Sequence, residues 1–152
     1  MKDRVLVGFF AGILAAVGAD IANWILYGLG LTEIRFLEWA SVLFLGHLPV
    51  NSIEVIVSQL AQIVWDGLMG VIFIMLIPRI KSDYIVYKGG MYAVALHFGF
   101  RAITVIFKVP PLNSISVATF LSFIVCSIIW GLLVGWFIKR FSVFYDNQAG
   151  SR

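Results

Sequence analysis

The chain has 152 residues, of which 61% are hydrophobic and only 12% charged, with a formal net charge of +3 and a mean hydropathy of +0.99. An average soluble domain is about 45–50% apolar and about 25% charged, and a chain this short has too little interior to hide the excess, so an ordinary cytosolic enzyme and a disordered chain are excluded. A secreted disulfide scaffold is excluded too, because Cys126 is the single cysteine and lies in an apolar run.

A helix that crosses a bilayer needs about 20 mostly apolar residues. Four stretches meet that length, at about 5–29, 53–77, 89–107 and 116–138. They are continuous and lack the period of two expected of a membrane β-barrel, so the fold class is all-α, a bundle of four spanning helices in one domain. The first stretch follows Lys2 and Arg4 as a signal peptide would. It outruns a typical h-region of 7–15 residues and has no small-residue cleavage site before Asp20, so it reads as a retained helix.

The segment that follows, about 33–47, is apolar but too short to span comfortably. It reads as an interfacial or re-entrant helix. Trp39 suits the headgroup level, Pro49 would stop the helix, and Asn51 or Ser52 would cap the next span. Pro78 is expected to end the second span, Gly89-Gly90 to open the third, and the turn at Pro110-Pro111 to lead into the fourth. The tail from about 143 to 152 reads as frayed.

Orientation comes from the cations of short loops. With the N-terminus cytoplasmic, Lys2, Arg4, Arg79, Lys81, Lys88, Lys139, Arg140 and Arg152 all fall inside, Arg35 and Lys108 fall outside, and Arg101 lies within the third span. Both termini are therefore expected to be cytoplasmic. The pI of about 9.2 then reflects loops that meet anionic lipid rather than nucleic acid.

Ionisable groups inside spanning helices are costly and are functional candidates. The first span carries Asp20 and Asn23 on one face, the second carries Gln59, Gln62 and Asp66 within one stripe, and the third carries His97 and Arg101 at i, i+4. At about 1.5 Å per residue, Arg101 is expected at a level between Asp20 and Asp66. That depth predicts Arg101 as a central cation paired with one or both carboxylates, with His97 and the two glutamines completing the cluster. The fourth span offers only Ser122, Cys126 and Ser127 and reads as an apolar wall.

Two readings of the cluster compete. It lines a path for a proton or small solute, with His97 titrating, or it is structural glue in a non-catalytic interaction or assembly subunit. An intramembrane enzyme has little support, since no nucleophile–base pair, Walker A loop, GxGxxG, HExxH or CxxC is present. Glu33, Arg35, Glu38, His47 and Glu54 read as solvated charge. His47 with Glu54 is a weak metal candidate, because metal sites usually need three or four ligands, and a haem held by His47 and His97 has little in its favour. No cofactor is expected. Gly8/Gly12 and Gly131/Gly135 are small-xxx-small pairs that allow close helix contact, either within the chain or as a homo-oligomer face. Gly67 and Gly70 would let a neighbouring backbone approach near Asp66.

Several of these stretches occur together: Gly8 to Leu31 with Asp20, Asn23 and Trp24; Gly46-His47-Leu48-Pro49; Gln59, Gln62 and Trp65-Asp66-Gly67; Ile77-Pro78; and Phe107-Lys108-Val109-Pro110. In them the chain resembles an uncharacterised family of small four-helix integral membrane proteins of anaerobic, spore-forming Gram-positive bacteria. The resemblance covers most of the chain. It implies a bacterial plasma membrane and transfers no catalytic residue, because no activity comes with it.

Overall fold

The computed structural model describes residues 3–77 and 84–149. They form five helices: α1 (Arg4–Gly28), α2 (Phe36–Leu45), α3 (Ser52–Leu76), α4 (Ile85–Ile106) and α5 (Val117–Ala149). No strand occurs among the described residues. Helices α1, α3, α4 and the Val117–Phe141 part of α5 are long and apolar enough to cross a membrane. Their outward faces are apolar, as lipid requires: on α3 the exposed residues Ile53, Ile56, Val57, Leu60, Val64, Leu68, Ile72 and Met75 recur at helical spacing. The chain is a multi-pass membrane protein with an all-helical fold.

Local chemistry sets the helix ends. Asp3 Oδ1 accepts from the backbone N–H groups of Val5 and Leu6 at 3.1 and 3.2 Å, satisfying two of the donors that a helix start leaves open. Asn51 caps α3 as expected, its Oδ1 accepting from Glu54 N at 2.9 Å. Glu54 Oε2 reaches back to Val50 N at 2.9 Å. Helix α2 ends earlier than Pro49, at Gly46, whose φ of 81° is the left-handed conformation that glycine adopts without steric cost.

Two expected boundaries move. Helix α4 starts at Ile85, so Gly89 and Gly90 lie inside it rather than opening it, and Lys88 belongs to its first turn. Helix α5 runs on to Ala149, past the expected end near 138 and through most of the segment read as frayed. Pro78, the expected stop of the second span, lies outside the described residues, as do Arg79 and Lys81.

Helix α1 packs on both α3 and α5, and α5 packs on α4. The spanning helices thus stand in the order α3–α1–α5–α4, with α2 against α3. Two seams of this row are built from glycine. A methyl group at Gly12 would overlap the Asp66 carbonyl, and one at Gly89 would overlap the Gly131 carbonyl. Without a hydrophobic drive between helices in lipid, such close backbone approach is a main source of association. Both small-residue pairs are therefore occupied within the chain, Gly8/Gly12 against α3 and Gly131/Gly135 against α4. The middle of the row is alanine-rich, with Ala11, Ala15, Ala16 and Ala19 at most 2% exposed. Trp130 of α5 crosses to α1 and donates from Nε1 to the Gly12 carbonyl at 3.3 Å.

Candidate functional site: a cavity with an acidic wall

The row curls, so that α3 and α4 face each other across a cavity of about 360 Å³. All five helices contribute to its lining. Aromatic rings dominate it: Phe36 and Trp39 from α2, Trp65 from α3, Phe100 from α4, and Phe123 and Trp130 from α5. Below the cavity, Phe73 stacks on Tyr92 at 5.1 Å between centroids, and the Tyr92 hydroxyl donates to the Met69 carbonyl at 3.1 Å. Those contacts join α3 to α4 on the side away from α2. Trp65 and Phe100 meet edge to face at 5.6 Å. At the α2 end, by contrast, Leu43, Phe44 and Ile103 line the cavity and are themselves exposed.

The polar part of the lining is Gln62, Asp66, His97 and Ser127. Gln62 Nε2 donates to Asp20 Oδ1 at 2.6 Å and to Asp66 Oδ2 at 3.3 Å. Gln59 Nε2 donates to Asp20 Oδ2 at 2.6 Å and to Gln62 Oε1 at 3.2 Å. Asp20, Gln59, Gln62 and Asp66 are thus one hydrogen-bonded group that joins α1 to α3. The expected i, i+3 and i, i+4 stripe of α3 is present, and it faces Asp20 because the glycine seam sets α1 and α3 antiparallel in that register.

The expected pairing of Arg101 with the carboxylates is not what forms. The Arg101 guanidinium donates to the backbone carbonyls of Leu112 and Asn113, the latter at 3.1 Å, and to Thr104 Oγ1 at 3.4 Å. Two physical reasons account for this. Helix α5, not α4, is the neighbour of α1 on the side away from α3, so a residue at the right depth on α4 is not beside Asp20. Arg101 also lies near the end of α4, where its long fork reaches the turn that follows and satisfies carbonyls there.

His97 and Asn23 also leave the expected cluster. His97 packs among rings, 5.5 Å from Phe120 and 6.2 Å from both Phe98 and Phe123. It is 7% exposed, and its Nε2 has no hydrogen-bond partner. It lines the cavity on α4, whereas the acidic group is on α1 and α3. Asn23 Oδ1 accepts from Phe36 N at 2.9 Å, tying the start of α2 to α1.

Charges read as solvated prove to be built into α2, which lies as a lid at one end of the cavity. Arg35 sits over the rings of Trp24 and Tyr27 at 4.6 and 4.8 Å and pairs with Glu38 at 2.6 Å. Glu38 Oε2 also accepts from Arg35 N at 2.6 Å, capping α2. The ring faces and the carboxylate together make a cation site for Arg35, which fixes α2 over the bundle. Trp39, expected at the headgroup level, turns inward against Phe123 at 6.2 Å and lines the cavity, its Nε1 without a hydrogen-bond partner. A run of aromatic and small residues on the inward face of a segment too short to span was the signal for this lid. On α5, Thr119 Oγ1 accepts from Glu33 N at 3.0 Å and Ser122 Oγ donates to the Leu31 carbonyl at 3.2 Å, so the supposed apolar wall also anchors the α1–α2 connection.

His47 Nδ1 and Glu54 Oε2 stand 3.7 Å apart. Glu54 is engaged in capping α3, and among the described residues no group of three metal-ligating side chains forms. Compared with protein-family models, with curated proteins and with solved structures, the chain matches none.

Proposed function

We propose that this membrane protein takes a small solute into its central cavity and assists its movement through the bilayer, with Gln62, Asp66 and His97 as the groups that meet it. The observation that carries this reading is the position of Asp66: it closes one end of the acidic group and at the same time lines a cavity shared by all five helices. Ligand sites are concave, mostly apolar and fitted with a few placed polar groups, and ionisable residues inside a membrane mark solute and proton paths. The loop cations, read by the positive-inside rule, support both termini being cytoplasmic. The resemblance to the small four-helix proteins of spore-forming bacteria supports a bacterial plasma membrane.

A second reading, the acidic group as structural glue in an assembly subunit, draws support from Asp20, which accepts from two glutamines of α3 and does not line the cavity. The two readings divide between the two aspartates. Flux into proteoliposomes of protons, and of neutral, anionic and cationic small solutes in turn, separates them. The transport reading expects protein-dependent flux of at least one species, lost in Asp66→Asn while the purified variant stays monodisperse. Flux equal to that of empty liposomes for every species would reject it.

A further inference from the structure

We infer that the cavity is a site for an organic cation, an ammonium group carried on a flat apolar body, an assignment that rests on reading the cavity as a solute site. The acidic group contains two carboxylates, Asp20 and Asp66, linked through one amide. Among the described residues neither forms an ion pair; the pairs present are Arg35 with Glu38 and His47 with Glu54. The cation that depth alone would have supplied, Arg101, is committed to the turn after α4. Asp66 accepts a single long hydrogen bond, from Gln62 at 3.3 Å, whereas a carboxylate has about four acceptor positions. An acidic side chain so placed in a low-dielectric wall favours the arrival of positive charge, because a partner offsets the cost of removing it from water.

The remaining lining points to the same class of ligand. Trp39, Trp65 and Trp130 bring three indole rings to the cavity, and indole is the best aromatic partner for a cation. His97, 7% exposed, lines the same cavity, and its Nε2 has no hydrogen-bond partner. With the ring proton on Nδ1, that nitrogen offers a lone pair to an ammonium N–H. The Trp39 N–H, also without a partner, asks for an oxygen on the same molecule. A cavity of about 360 Å³ lies at the lower end of the range for small-molecule sites.

The test uses three probes with one body and different charge: phenoxypropylammonium, phenoxypropanol and phenoxypropanoate. Each is titrated into the full chain in lipid nanodiscs, followed by tryptophan fluorescence, with empty nanodiscs subtracted for partition into lipid. The cation is expected to bind about tenfold tighter than the alcohol and the anion weakest, as expected of one desolvated charge pair plus a ring contact. Asp66→Asn should erase the preference, bringing the cation's affinity down to that of the alcohol. Ser127→Leu, which fills the cavity from α5 without touching the acidic group, should remove binding of all three and serves if Asp66→Asn does not fold. Equal binding of alcohol and cation, tightest binding of the anion, or a cation preference that survives Asp66→Asn would overturn the cation assignment and leave the solute reading standing. Binding of none of the three to the wild-type chain would overturn the cation assignment, and the solute reading falls with it only where the flux assay also gives the empty-liposome value for every species.

Discussion

Gln62 of α3 donates to Asp20 of α1 across 2.6 Å, a few residues along the helices from where the Gly12 backbone meets the Asp66 carbonyl. Polar bond and glycine seam therefore fix the same register between the two helices, one by direction and the other by distance.

That arrangement separates two substitutions at one position. Asp20→Asn keeps an oxygen for the glutamine amides and should change stability by less than about 1 kcal/mol. Asp20→Ala takes the shorter-bonded acceptor from the buried Gln62 amide and the half-buried Gln59 amide and should cost about 1–3 kcal/mol. Reversible unfolding in mixed detergent, monitored by tryptophan fluorescence, measures both; equal effects would show that the hydrogen bonds contribute little.

The glycine seams give a contrast between two glycines of one helix. Gly89→Ala sets a methyl group against the Gly131 carbonyl, while Gly99 has nothing within 4 Å of an added Cβ. The first should destabilise by about 1–3 kcal/mol through overpacking. The second should be neutral, or stabilising by about 0.5–1 kcal/mol, since alanine is the better helix former. Thermal aggregation of the purified variants reads the order directly.

Arg101 supplies a test of its separation from the acidic group. Arg101→Gln and Asp66→Asn should be additive within about 0.5 kcal/mol when combined, as for sites that share no partner. Rescue of one by the other in the same unfolding assay would show a charge pair. Arg101→Gln alone should speed amide exchange in 107–116, where its guanidinium holds the Leu112 and Asn113 carbonyls.

Arg35 should resist conservative replacement. Arg35→Lys keeps the charge but loses the planar fork that lies on Trp24 and Tyr27 while bonding Glu38. It should loosen α2, read as faster hydrogen exchange over 33–50 with the cores of α1 and α3 unchanged. Exchange at the wild-type rate would mean that the clamp does not hold the lid.

The spans, the Asn51 cap and the stripe of Gln59, Gln62 and Asp66 were legible in the sequence because each depends on residues within a turn or two of one another. The partner of that stripe was half legible: Asp20 has the right depth, and Gly67 and Gly70 announced a close neighbour. What pattern alone does not carry is which spans are adjacent. Arg101 at the right depth looked like a partner, yet α5 stands where that pairing would need α4. His97 went to the far wall for the same reason. The lid role of α2 was hidden because Arg35 and Glu38, charged and next to a short apolar run, look solvated until Trp24 and Tyr27 are seen beneath them.

The position of α5 beside α1 bears on how the chain is made. Hairpin α1–α3 brings its own glycine seam and its own acidic link, so it can close as soon as α3 leaves the ribosome. The alanine face of α1 must then wait in lipid through the synthesis of α4, because its other neighbour, α5, begins only at Val117. Of the five helices, the last to be made is therefore inserted into the middle of the row rather than added at its edge, and Trp130 gains its hold on Gly12 only with it.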